Sequence, residues 1–175
     1  MGVITDFFLA SRSDVTRVLR GWRLPPLTNQ ESARVPPLAL GSADPQANPA
    51  PPIDSLPNVQ CNGMLPERLA LVFASLAEVD PDRALDLILL EYLTGPPESE
   101  VTVQRLPAAF VNALANARER DLERAAKVLE DDDVDRWGDA LLGTANELSK
   151  ILMRIQNLAR QGLSTQADLF VWTCT

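Results

Sequence analysis

Histidine is missing from all 175 residues. That removes the commonest general base near neutral pH, the commonest metal ligand and the base of any Ser–His or Cys–His nucleophile pair. Cysteine is scarce as well. Cys61 and Cys174 are too few and too far apart for a zinc cluster or a Cys-x-x-Cys redox pair, so they read as two reduced thiols. Long apolar runs are also absent. The longest, Leu69 to Ala77, is interrupted by Ser75, whereas a membrane span needs about 20 residues. There is no G-x-G-x-x-G, no Walker lysine loop and no G-x-S-x-G elbow. Catalytic residues, metal ligands and cofactors are therefore not assigned.

The net charge is -8. Residues 1–57 hold equal numbers of basic and acidic side chains, so the acidic excess lies wholly in the remainder. An acidic body repels phosphate backbones, which argues against nucleic acid as a partner. Arg12, Arg17, Arg20 and Arg23 read as a solvated helix face. The N-terminal Met-Gly-Val-Ile-Thr-Asp-Phe-Phe lacks the basic start of a secretory leader, and Asp6 stands where a myristoylation pattern needs Ser or Thr. The expectation is a cytoplasmic protein without membrane attachment.

Residues 3–10 are short and rich in strand formers, predicting a buried strand. Ser13 is placed to cap a short helix from Asp14 to Arg20. Nine of the fourteen prolines fall in residues 24–57. Each removes a backbone donor, so no regular helix or central strand runs through. Leu24, Leu27, Val35, Leu38, Leu40, Ile53 and Leu56 are spaced along this stretch. They predict an ordered excursion laid on the core of a single domain covering residues 1–175.

The rest reads as helical. Pro66 opens a helix with Leu69, Val72, Phe73 and Leu76 inward. Asp80 caps the next, which carries Leu85, Ile88, Leu89 and Tyr92 and ends at Gly95-Pro96-Pro97. Val101 to Val103 is a short extended piece. Pro107 opens a helix with Phe110, Val111 and Leu114 inward. A phase slip from Arg118 to Asp121 starts another with Leu122, Ala125, Ala126 and Leu129. From Val134 to Gln161 the residues Trp137, Leu141, Thr144, Leu148, Ile151, Ile155 and Leu158 form a heptad stripe, predicting one long helix stopped by Gly162. That stripe also offers a homodimer contact through residues 134–161. Leu169 to Cys174 is a second apolar strand. The fold class is thus α+β: a mainly helical domain with a small sheet formed by the N- and C-terminal strands.

The framing residues carry a resemblance. Met-Gly-Val-Ile-Thr-Asp-Phe-Phe-Leu-Ala at the start, Leu-Thr-Gly at 93–95 and Leu-Phe-Val-Trp near the end resemble a group of uncharacterised bacterial proteins. In layout that group is distantly similar to the YfbM-like family of unknown function. The family's Trp-His pair in the central helix is replaced here by Leu87-Ile88-Leu89-Leu90. The resemblance implies an α+β fold and a bacterial cytoplasmic protein.

Three constellations invite chemistry. Glu130-Asp131-Asp132-Asp133, with Asp135 and Asp139 after it, could hold a hard cation, but an EF-hand starting at Asp131 needs Gly at 136 and Glu at 142, where Arg136 and Leu142 stand. The duller reading is a solvated connection in which Asp133 caps the long helix. The alternative is that Asp131, Asp132, Asp133 and Asp135 form an acidic docking patch for a protein partner with a basic surface. Asp80, Asp82 and Asp86 read as helix-start charges. Glu91 lies among apolar neighbours; buried, it would be a candidate pocket acid. Trp22, Trp137 and Trp172 read as core. Two functions follow as expectations: a non-catalytic protein-interaction or regulatory module, or a small carboxylate-based hydrolase or ligand sensor using Glu91 or an acidic metal site.

Overall fold

The computed structural model describes residues 4–11, 15, 56–90, 92–94, 101–137 and 143–174. The elements run β1 (Ile4–Ala10), β2 (Asn58–Asn62), α1 (Pro66–Ala77), α2 (Pro81–Leu89) and β3 (Tyr92–Thr94). They continue with β4 (Val101–Arg105), α3 (Ala108–Asn116), α4 (Glu119–Trp137), α5 (Ala145–Thr165) and β5 (Asp168–Cys174). The helix expected at 14–20, the excursion as far as residue 55, Trp22, Glu91 and Asp139 fall outside the described residues, apart from Val15.

The fold is α+β, and the two terminal strands do pair. They form the middle of a five-stranded antiparallel sheet in the order β2-β1-β5-β4-β3. Phe7 lies opposite Val171 and Phe8 opposite Phe170. Alternation sends Phe7, Leu9, Leu169 and Val171 to the helix side and Phe8 and Phe170 to the other. The helix side carries the main core, on which α5 crosses β2, β1 and β5 while α1 packs on α2, α3 and α4. The opposite side carries a smaller cluster in which Phe8 stacks on Phe170 with ring centroids 5.6 Å apart. Val15, Leu56 and Trp172 join that cluster.

The sheet is larger than the sequence suggests. Asn58-Val59-Gln60-Cys61-Asn62 alternates exposed and buried residues, a strand period that the neighbouring prolines obscure. Tyr92, expected in α2, instead begins β3. Leu87 to Leu90 is apolar all round, so periodicity does not mark where the helix ends; the backbone leaves it at Leu90 and pairs with β4 through a register shift.

The single helix expected over 134–161 is two helices. Gly143 has φ +113°, a conformation that L side chains rarely adopt, and a Cβ there would stand 2.9 Å from a Glu147 carboxylate oxygen. Thr144 then opens α5 with a capping box. Its hydroxyl accepts from the Glu147 N–H at 3.4 Å, and its own N–H donates to Glu147 Oε2 at 2.9 Å. Across the break, Glu130 Oε1 of α4 accepts from the Ala145 N–H at 3.1 Å. Of the stripe, Leu148, Ile155 and Leu158 are buried in the chain's own core and Ile151 packs against it, with Leu152 and Ala159 buried beside them, so this face of α5 is already used. Nor does Gly162 end the helix. A Cβ on it would meet Ala167 O and Leu9 Cδ2 at 2.9 Å, so the glycine permits close packing on β1. The helix ends at Gln166, with φ 56°.

Thr144→Ala is expected to cost about 1 kcal/mol in urea denaturation, and Thr144→Ser to restore most of it. Donation from the Thr144 N–H and hydroxyl holds the Glu147 carboxyl below its ordinary range. The sign follows: its stabilising contribution is present above the unfolded pKa and fades as pH falls through the lower folded value.

Candidate functional site

Helical geometry breaks up the acidic run. Residues 130–133 all lie within α4, so successive side chains are turned by about 100° and cannot form one patch. Glu130 and Asp131 both pair with Lys127, at 2.7 and 2.8 Å. Asp132 pairs with Arg136 at 2.8 Å. Asp133 points inward, fully buried, onto Arg68 of α1. Asp133 therefore neither caps the long helix nor belongs to a surface patch; Thr144 does the capping. Of the four aspartates expected to dock a partner, Asp131 and Asp135 are exposed, Asp132 is half-buried and Asp133 is interior. Among the described residues no group of three or more Cys, Asp and Glu side chains is placed to hold a metal ion.

Other acids also serve helix ends. Asp80 Oδ1 accepts from the N–H groups of Asp82 and Arg83 at 3.0 and 3.2 Å. Asp121 accepts from the Arg118 N–H at 3.1 Å. Cys61 is a free thiol on the helix side of β2. Burial pushes its pKa up to about 12, with Asp6 adding to the shift and Arg154 opposing it. It stays protonated and is a poor nucleophile. Trp172 packs in the smaller cluster.

A cleft of about 550 Å³ opens where α3 ends, α4 begins and α5 passes by. Nothing in the reading of the sequence pointed to it. Its construction starts from the end of α3, where the Ala117 N–H donates to Leu114 O at 3.2 Å and Asn116 Nδ2 to Asn112 O at 2.9 Å. Side chains from α5 cover further carbonyls there. Gln156, buried, donates through Nε2 to Leu114 O at 2.9 Å and Ala117 O at 2.8 Å. Arg160 Nε donates to Ala115 O at 2.8 Å. These bonds span about forty residues of sequence and fix the α3–α4 turn against α5. Ala117, extended at φ -57° and ψ 144°, ends the helix, and Arg118 after it lines the cleft. Asn116, Glu119 and Asn157 line it as well, over Ala117 and Met153. The Arg118 side chain and the terminal nitrogens of Arg160 make no ion pair among the described residues. A Gln and an Arg one turn apart on α5 were the only clue in the sequence, and on a polar helix face such a pair is commonplace.

The cleft offers hydrogen-bond donors and positive charge on rigid supports. Comparisons with known proteins add the following. No family model matches the chain, and no curated protein matches it in sequence. Among solved structures the chain is similar to YfbM from Escherichia coli, described as a protein of unknown function. The match covers 98% of this chain and 99% of that one, at 10% identity and a TM-score of 0.44. Among the described residues no helix is long and apolar enough to cross a membrane.

Proposed function

We propose that this chain is a non-catalytic interaction module, with a contact face around the cleft at the α3–α4 turn. The observation supporting this most is the division of labour among charged groups. Asp80, Asp121, Glu130, Asp132, Asp133 and Glu147 each hold a helix end or an ion pair. Arg118 and Arg160, in contrast, line an open cleft on helices fixed by structural hydrogen bonds. Groups committed to caps and ion pairs are poorly placed to exchange protons with a substrate, whereas rigidly held donors suit recognition. A free, protonated Cys61 fits a reducing compartment, and we place the module in the cytoplasm. The exposed Asp131 and Asp135 on α4 give a second, acidic contact surface for a basic partner.

The test is affinity capture from host lysate with the immobilised chain and its Arg118→Glu variant, both checked by circular dichroism for unchanged folding. The expected result is a protein retained in near-stoichiometric amount by the first and lost by the second. Equal retention would move the contact face elsewhere. A purified chain that turns over a small molecule unaided would overturn the non-catalytic reading.

A further inference from the structure

We propose that the cleft binds carboxylates of an acidic peptide segment presented by a partner protein, an inference that rests on reading the chain as an interaction module with this cleft in its contact face. The charge pattern is the starting point. On a chain of net charge -8, two guanidinium groups line one cleft and neither is within ion-pair reach of a carboxylate among the described residues. Glu119 lines the same cleft, yet it bridges to neither of them. Arg68, Lys127, Arg136 and Arg105 each pair with a carboxylate; Arg83, Lys150 and Arg154 make no ion pair among the described residues either, but none of them lines this cleft.

Placement is as informative as charge. Arg160 is anchored through Nε at 2.8 Å to a helix-end carbonyl. That bond orients the guanidinium plane and leaves its two terminal nitrogens for a ligand. The planar fork of a guanidinium matches a carboxylate bidentately, and an anchored one loses less side-chain entropy on binding. Arg118 lines the same cleft, directly after Ala117, whose carbonyl Gln156 holds.

Three features choose the ligand. Glu119 in the cleft wall disfavours the compact charge of a phosphate dianion more strongly than two carboxylates spaced along a peptide, because repulsion falls with distance. Ala117 and Met153 offer apolar surface to the methylenes of a glutamate, and the Asn157 amide suits a peptide group. The cleft is about 550 Å³ and open to solvent. Pockets for free small molecules enclose most of their ligand, whereas an open cleft with charges on its lip fits a segment carried on a larger surface.

The test is an amide-resonance titration of the full chain with a blocked pentapeptide carrying two glutamates. The controls are the same peptide with glutamines, free glutarate and inorganic phosphate. Saturable shifts are expected at residues 116–119 and 156–160 with the glutamate peptide. They should weaken with added salt and be absent with the glutamine peptide. Arg118→Gln should weaken binding about tenfold or more, with the remaining spectrum unchanged because that side chain holds no structural bond among the described residues. Arg160→Lys, which keeps the charge and loses the fork, should weaken it as well. Equal binding of the glutamine peptide, stronger binding of phosphate or glutarate, or full affinity in Arg118→Gln would each overturn the proposal, as would no shift at all. If lysate capture is abolished by Arg118→Glu while the glutamate peptide fails to bind, the interaction module stands and the acidic ligand falls.

Discussion

Replacing Arg68 by Ala is expected to lower the unfolding free energy by about 3–5 kcal/mol, the usual cost of removing one partner of a buried ion pair. Arg68 reaches from α1 to two places: its Nη1 donates to Gly63 O at 2.6 Å, and its Nη2 binds the Asp133 carboxylate on α4. The Asp133 side chain is wholly buried and that of Arg68 is 13% exposed. Water therefore replaces little of what the substitution removes. The pair joins the turn after β2 to the middle of the helical layer, so its loss loosens two contacts together. Urea denaturation of Arg68→Ala, Asp133→Leu and the double variant Arg68→Met/Asp133→Leu measures this. The double variant should recover most of the stability, since apolar groups of similar size can replace a buried pair. A single-variant loss below about 1 kcal/mol would show that the pair contributes no more than an exposed one.

The second large effect belongs to the sheet. Phe7→Ala is expected to cost about 3–5 kcal/mol, combining lost transfer energy with the cavity left behind. Phe7 is fully buried in the main core, in register with Val59 on one side and Val171 on the other. Its strand neighbours cannot collapse into the void without breaking ladder hydrogen bonds. For a chain of this length the loss corresponds to a fall in Tm of roughly 6–20 °C. Leu90→Ala is the control. Leu90 is 72% exposed, and its truncation should change stability by less than about 0.5 kcal/mol. Scanning calorimetry of the two variants decides the matter; similar midpoints would mean that the sheet is not packed by Phe7.

Much of this architecture was legible because short-range chemistry marks it. Pro66, Asp80-Pro81 and Pro107 announce helix starts, and α1, α2 and α3 begin there. Phe110, Val111, Leu114, Leu122, Ala125, Ala126 and Leu129 are all buried, as their spacing predicts. The apolar strands at the two ends pair because an isolated strand leaves its backbone groups unsatisfied. The errors have equally local causes. Thr144 and Glu147 form a capping box, but Thr144 also fits the heptad phase, so periodicity hid the break. The alternation of Asn58 to Asn62 was present and was masked by the prolines before it. Gly162 has the look of a helix stop, and only Leu9 and the Ala167 carbonyl reveal it as a contact point.

The candidate site was not legible at all. Asp133 is one of four consecutive acids, and nothing in the run says which of them faces Arg68, sixty-five residues away. Arg118, Gln156 and Arg160 look like ordinary polar helix residues until α5 is laid against the end of α3. By itself the sequence determined the starts of α1, α2 and α3, most inward faces and the α+β class, because these follow from backbone capping, side-chain period and burial of apolar area within a few turns. The tertiary structure alone decided which charges are spent and which remain available, because ion pairs and carbonyl caps form between segments whose separation in sequence says nothing of their distance in space.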